Sequence, residues 1–332
     1  MNIKEYFTKK EKAFSNRKDK NFLLTSVILG VLFLVAIAIA KPQFYAFRNL
    51  SSILIQSSAV AIMAAGQIYV MVSGGIDLSI PSVMMLSGCI GAYTMRETEN
   101  IMLGVLAIMM IAILLGLFNG FSVAKIGINP FVATMITMIF SNGLSLRVTK
   151  STSIPVLPKF TELFGKYYGP FHANIIMMLV CLIILQFLLT KTAFGRSIYA
   201  IGTNEKTAQA CGIKTGKIKI QVFLISGIMA GLAAIALTAR ISSSSLSLAS
   251  DGTSLDVIAA AIVGGASIKG GVGTVLGALI GAFIINGLSN LLVLFGIIRF
   301  RLLRAQSLFL LPGLTPFVQM QGGYKDGKKN VL

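Results

Sequence analysis

Long apolar runs alternate with short polar turns along most of the chain. A helix rises about 1.5 Å per residue, so roughly 20 apolar residues cross the hydrocarbon core of a bilayer. Residues 22–40 are a first such run, closed by Lys41-Pro42, because proline cannot continue the hydrogen-bond ladder. Residues 50–72 are a second. Residues 80–95 are a shorter third, with Pro81 near the start, where a helix tolerates it. Residues 101–123 and 131–146 follow, parted by a tight turn at 125–130. The fourth run carries Gly116 and Gly120, a small-residue face that lets another helix approach closely. Residues 149–171 hold Pro155, Pro158 and Pro170, which suits an ordered loop outside the membrane. Residues 174–189, 220–237 and 274–294 are further spans, 240–254 reads as a serine-rich loop, and 255–263 is apolar but too short to span alone. With 255–263 and an apolar stretch at 302–318 counted, the pattern predicts an all-α, polytopic integral-membrane helical bundle of about ten transmembrane helices.

Composition strengthens this picture. Of 332 residues 55% are hydrophobic and 12% charged, with mean hydropathy +0.83. A soluble domain carries about 25% charged residues. The formal net charge of +18 does not point to nucleic acid, because the basic residues cluster in the tails and loops, as the rule orienting membrane helices requires. Residues 1–20 read as a retained cytoplasmic tail. With the N-terminus inside, the basic stretch 191–219 and Lys269 both fall on the cytoplasmic side. Three scattered cysteines give no disulfide framework, and His172 is the sole histidine. A histidine-based metal site or catalytic triad is therefore excluded. No metal, cofactor or catalytic residue is expected, and the chain is not expected to be an enzyme.

The apolar pattern is broken by Ser73-Gly74-Gly75-Ile76-Asp77-Leu78-Ser79. A carboxylate at the bilayer centre costs roughly 2.5–3.5 kcal/mol. Asp77 either caps the helix that starts near Ser79 or faces a pathway, and the two roles are compatible. Asp256 is read in the same way, with Ser254 as the N-cap before it. An internal echo aligns 73–92 with 263–282 without gaps, matching Gly74 with Gly264 and Gly75 with Gly265. Repeat-built transporters place their pathway where such broken helices meet. Arg147 and Arg240 each follow an apolar run and read as interfacial anchors.

In the polar stretch 191–219, Asn204 is a good N-cap, Glu205 suits the first turn of a helix, and Gly212 suits the position just past its end. A helix of about two turns is marginal by itself, so it packs on this protein or a partner holds it. The pattern G-R-x-x-Y-A-I-G-x-N-x-x-x-A-x-x-x-G-I from Gly195 to Ile213 resembles the cytoplasmic coupling loop of ABC-importer permeases, in the ribose-type sugar branch of the branched-chain amino acid and simple-sugar superfamily. S-G-G-I-D-L-S at 73–79 and L-D-x-I-A-A-x-x-x-G-G-x-S-x-x-G-G-x-G at 255–273 resemble two further signatures of that family.

The resemblance covers about residues 22 to 296 and implies a domain at 21–296 that carries a monosaccharide across the membrane by alternating access. It implies separate ATP-binding cassette subunits, a periplasmic sugar-binding protein, a second permease copy and a multi-pass place in the cell inner membrane. It assigns ATPase coupling to Gly195, Arg196, Gly202, Asn204, Glu205, Ala208 and Gly212, and the substrate pathway to Gly74, Gly75, Asp77, Ser79, Asp256, Gly264 and Gly265. The sequence agrees on one independent point. No phosphate-cradling G-x-x-x-x-G-K-[ST] loop occurs, so ATP hydrolysis must come from another chain. After Gly296 the family pattern is lost. Arg299, Arg301 and Arg304 interrupt the expected last span, leaving 297–332 as a divergent tail, through a shifted reading frame or a true arginine-anchored variant. Alternatives are a permease of the same superfamily for branched-chain amino acids or nucleosides, and an ion-coupled transporter with Asp77 and Asp256 as proton sites.

Overall fold

The computed structural model describes residues 41–249 and 252–295. The expected first span at 22–40, the apolar stretch at 302–318, the N-terminal tail 1–20 and the C-terminal tail 297–332 lie outside the described residues. The chain divides into two units, Met1–Ser52 and Ile53–Leu332. In the first, a 3-10 turn at Pro42–Tyr45 leads into the opening of helix α1, Phe47–Val72, which continues into the second unit from Ile53. Asn49 Nδ2 donates to Phe44 O at 2.9 Å and ties the turn to the helix start.

The described residues of the second unit are helical almost throughout. Beyond α1 come α2 at Ile80–Thr98, α3 at Ile101–Phe121 with a π turn at Ser122–Ile126, and α4 at Pro130–Thr149. Short pieces follow: β1 at Ile154–Pro155, α5 at Pro158–Phe164, β2 at Tyr167–Tyr168 and β3 at Phe171–His172. Then come α6 at Ala173–Lys191, α7 at Ala193–Thr203, α8 at Glu205–Ala210 and α9 at Thr215–Ile241. Strand β4 at Ser243–Ser244, helix α10 at Thr253–Val263 and helix α11 at Val275–Leu294 complete the described chain. Helix boundaries follow local chemistry. Asn100 Oδ1 accepts from Leu103 N and starts α3, and Asn129 Oδ1 accepts from Phe131 N beside Pro130 to start α4.

Phe47–Val72, Ile101–Ile126, Pro130–Thr149, Ala173–Lys191, Thr215–Ile241 and Val275–Leu294 are each long and apolar enough to cross a bilayer. From residue 57 to 72 α1 is buried at all but one position, and α9 is buried along much of its length. Helices α3, α6 and α11 instead turn Leu106, Leu114, Phe118, Ile183, Phe187, Ile280 and Ile284 outward. Such continuous apolar surface suits lipid and would be a liability in water. The small-residue face on α3 meets α9: a β-carbon at Gly116 would lie 2.7 Å from Phe223 O, and one at Gly120 would lie 2.9 Å from the Ile220 Cα.

The expected loop at 149–171 is ordered. Tyr167 pairs with His172 and Tyr168 with Phe171 in a small hairpin, and β1 pairs with β4 as Ile154↔Ser244 and Pro155↔Ser243. The serine run at 242–245, read as loop, is thus partly strand, and Ser244 is buried with its hydroxyl donating to Cys89 Sγ at 3.4 Å. His172 Nδ1 accepts from Asn174 N and caps α6. Burial, and then the Arg240 charge nearby, push the imidazole pKa below its ordinary value, while a hydrogen bond with the Gly165 backbone acts the other way. Arg240, expected as an anchor, is therefore also a neighbour of His172.

Candidate functional site

The glycines expected along the pathway begin as helix terminators. Gly74 follows α1 with φ +88°, its N–H donating to Met71 O while the Gly75 N–H donates to Val70 O. Gly265 follows α10 with φ +90°, its N–H donating to Ile262 O while the Ala266 N–H donates to Ala261 O. These paired bonds satisfy carbonyls that a helix end would otherwise leave open, and glycine enters the left-handed region without a β-carbon clash. The structurally matching residues are therefore Gly74 and Gly265, one position off the gapless echo. The echo also fails further on, since Ile80 opens α2 whereas its counterpart Gly270 lies in a loop with φ +88°. Gly264 packs instead: a β-carbon there would lie 2.2 Å from Gly277 O, and one at Gly281 would lie 1.9 Å from Ala260 O. Helices α10 and α11 thus touch through backbone.

Asp77 lies in the break between α1 and α2 and is 4% exposed. Its Oδ1 accepts from Ser79 N at 2.8 Å and from Ser79 Oγ at 2.6 Å, and its Oδ2 accepts from Ser226 Oγ of α9 at 2.8 Å. Asn119 Nδ2 of α3 then donates to Ser79 Oγ at 2.9 Å, and Thr137 Oγ1 of α4 donates to Asn119 Oδ1. Beside them, Thr134 Oγ1 accepts from Leu78 N at 3.1 Å. The carboxylate is thus satisfied by donors of its own chain, and the space beside it is too small for a water molecule. It bonds the second residue onward in the manner of an Asx turn, so the capping geometry is present among the described residues. Asn119, Thr137 and Ser226 were not picked out from sequence. Asn119 was detectable as an amide inside an otherwise apolar run.

Asp256 falls one turn into α10 as an acidic first-turn residue, and the helix starts earlier than expected, with Gly252 rather than Ser254 at its N-cap. Ser254 reaches elsewhere: its Oγ donates to Leu78 O at 3.0 Å, joining α10 to the Asp77 segment.

The stretch expected to couple forms two helices, α7 and α8, where sequence suggested one. Gly195 and Ile198 are buried while Arg196 is exposed. Gly195 sits so close to the end of α6 that a β-carbon would lie 1.9 Å from Leu189 O. Asn204 Oδ1 accepts from Thr207 N at 3.0 Å and caps α8, as the sequence indicated. Gly212, at φ +83°, closes α8 with the same paired bonds: its N–H donates to Gln209 O and that of Ile213 to Ala208 O. Glu205 pairs with Lys219 of α9 at 2.7 Å, and Ala208 is buried. Asn204, Lys206, Cys211 and Gly212 are exposed on this elbow.

Elbow and breaks converge. A β-carbon at Gly202 would lie 1.7 Å from Val72 O and 2.5 Å from Gly271 N, whose N–H donates to Val72 O at 2.9 Å. The ends of α1 and α7 and the segment between α10 and α11 therefore meet backbone to backbone. Gly74 and Gly75 flank the contact, with a β-carbon at Gly75 falling 3.3 Å from Pro130 Cβ. Among the described residues, no His, Cys, Asp and Glu cluster could hold a metal ion.

The chain matches the family described as branched-chain amino acid transport system / permease component over residues 49–312, past Gly296. It is 35% identical to the ribose import permease protein RbsC of Haemophilus influenzae over 306 residues, covering 90% of this chain and 94% of that one. It is 37% identical to RbsC of Escherichia coli K12, covering 81% of this chain and 86% of that one. It is 34% identical to the L-arabinose transport system permease protein AraH of E. coli K12, covering 86% and 87%. No solved structure matches the chain.

Proposed function

We propose, on the premise that this chain belongs to the permease family of the branched-chain amino acid transport systems and to its ribose-type sugar branch, that it is the membrane-spanning subunit of an ABC importer carrying a monosaccharide of the ribose or arabinose kind. The observation that supports this best is the α7–α8 elbow. It is exposed on one side, capped at both ends of α8 by its own residues, and packed on the other side against the breaks after α1 and α10. A handle of this form passes a push from a bound subunit into the bundle.

In this reading the ATP-binding cassette subunits dock on the elbow through the surface around Arg196, Asn204 and Gly212, with Gly195, Gly202, Glu205 and Ala208 fixing its shape. A periplasmic binding protein delivers the sugar, a second copy of the chain completes the pathway, and the N-terminus is cytoplasmic. Gly74, Gly75, Asp77, Ser79, Asp256, Gly264 and Gly265 frame the cytoplasmic end of that pathway by stopping and aiming helices, Asp77 from inside the protomer. Alternating access then needs the partners to bind two states of the permease with different affinity, since that difference alone shifts the population.

The test is uptake by proteoliposomes holding the chain with its ATPase and binding protein, with labelled D-ribose and L-arabinose as probes. ATP inside, with binding protein outside, should drive accumulation. Accumulation driven by a proton gradient without ATP replaces this reading with ion-coupled transport.

A further inference from the structure

The α7 helix and the last turns of α6 are fastened to the segment between α10 and α11 by two side chains: Tyr199, which lies inside the Gly195–Ile213 pattern, and Gln186, which no family pattern includes. Tyr199 Oη of α7 donates to Gly273 O at 2.6 Å. About two turns before the elbow, Gln186 Oε1 of α6 accepts from Val275 N at 2.9 Å and from Leu276 N at 3.2 Å, adding a second cap to α11 beside Thr274. Beyond the Tyr199 attachment Gly202 abuts Gly271 with no room for a side chain. Phe194 of α7 also lies against the Tyr69 ring of α1 with centroids 6.3 Å apart, and Tyr69 Oη donates to Leu185 O at 2.7 Å.

The held segment turns on glycines. Gly270 and Gly271 take φ of +88° and +74°, and Ser267 accepts from Gly270 N to close a tight turn. Beyond it, α11 packs against α10 through Gly264, Gly277 and Gly281, with no side chains between the backbones to absorb a shift. A displacement of α7 is therefore delivered at Gly273, while Gln186 of α6 holds the start of α11 at Val275, and α10 and α11 receive the movement as a unit.

We propose that Tyr199 is a positioning residue for energy coupling: its hydroxyl on Gly273 O, with Gln186 on the start of α11, makes the α10–α11 pair follow the elbow. This rests on the reading that the ATPase docks on α7–α8. Neither side chain touches the sugar or the nucleotide in this scheme. Their work is to keep the stroke of the elbow from being lost in a glycine-rich turn.

The experiment uses the full importer in proteoliposomes, with D-ribose and L-arabinose as probes, and reads ATP hydrolysed per sugar taken up. Tyr199→Phe removes one hydroxyl and keeps the ring. Tyr168→Phe is the matched control, because Tyr168 Oη donates to Leu163 O at 2.9 Å within the short pieces before α6. Docking is followed separately through a photo-reactive cross-linker placed on the exposed Cys211. The expected result is ATP spent per sugar rising about threefold to tenfold in Tyr199→Phe, the worth of one hydrogen bond. Cross-linking to the ATPase is retained, and Tyr168→Phe stays at the parental ratio. A retained cross-link with an unchanged ratio overturns the clamp while docking stands. A fall of uptake and hydrolysis in step, at constant ratio, marks Tyr199 as merely structural and overturns the clamp as well. Absence of the cross-link in the parental complex overturns the docking reading, and this inference falls with it.

Discussion

Replacing Asp77 separates a capping carboxylate from one that meets the sugar. Three donors converge on it: Ser79 N, Ser79 Oγ and Ser226 Oγ. Hydrogen bonds to a charged group are worth about 1.5–3 kcal/mol each, so a naive sum of three for Asp77→Ala, about 4.5–9 kcal/mol, is comparable to the whole margin of an ordinary domain. Two corrections shrink it. Serine hydroxyls in or beside a helix can turn to a carbonyl one turn back, which leaves the Ser79 N–H as the donor without a substitute. Removing the buried charge also relieves a desolvation cost of several kcal/mol. The net expectation for Asp77→Ala is a loss of about 1–3 kcal/mol, the cost of an unsatisfied buried donor. In Asp77→Asn the amide oxygen can still serve Ser79 while the amide nitrogen donates to Ser226 Oγ, so the loss should stay under about 1 kcal/mol. The assay is thermal stability in detergent, read by fluorescence-detected size exclusion, beside uptake normalised to folded protein. Asn milder than Ala, with uptake tracking stability, is the expected outcome. A stable Asp77→Asn protein that has lost uptake would refute the reasoning, because the charge would then act on transport and not on the turn.

Other outcomes follow from the same geometry. Gly202→Ala must open the Gly271–Val72 hydrogen bond or lift α7, and should cost about 1–3 kcal/mol by overpacking, seen as a lower melting temperature; an unchanged melting temperature contradicts the contact. Gly212→Ala forces a β-carbon into the left-handed region at about 1–2 kcal/mol and should loosen α8, weakening co-purification of the ATPase more than expression of the chain. His172 has its folded pKa depressed, so its contribution to stability is complete above the ordinary histidine pKa of about 6.5 and is lost as pH falls through the lower folded value. His172→Asn, which keeps a capping acceptor, should flatten that acid-side decline in a pH series of melting curves. Finally, a maleimide should label Cys211 in the folded chain and leave Cys89 and Cys181 unlabelled, and bound ATPase should slow the labelling.

What could be read in the chain without coordinates was local. Asn204, Gly212 and the Gly116–Gly120 face follow from rules that act within a turn or along one helix face, and each holds in the structure. The start of α10 was missed by a residue or two because Ser254 is a good cap by type, whereas its hydroxyl is drawn to Leu78 O across the bundle. Helix α7 was missed because the apolar positions of residues 193–203 make a short amphipathic stripe within a basic stretch, and such a stripe gains its stability from packing on α1 and α6 rather than from propensity. The partners of Asp77 and the attachment of Tyr199 join residues 149 and 74 positions apart. No pattern within one segment encodes such a pairing.

The enclosure of Asp77 bears on what a sugar importer must not do. A bare carboxylate at the edge of a water-filled passage draws in cations, and rings of such groups make cation-selective pores. An uncharged solute gains little from that field, while a cell that let sodium or protons slip through with each sugar would dissipate its membrane potential. Two serines and a backbone amide surround the acid, so in the importer proposed above the fold would keep the bend that Asp77 makes possible and offer a passing ion no foothold.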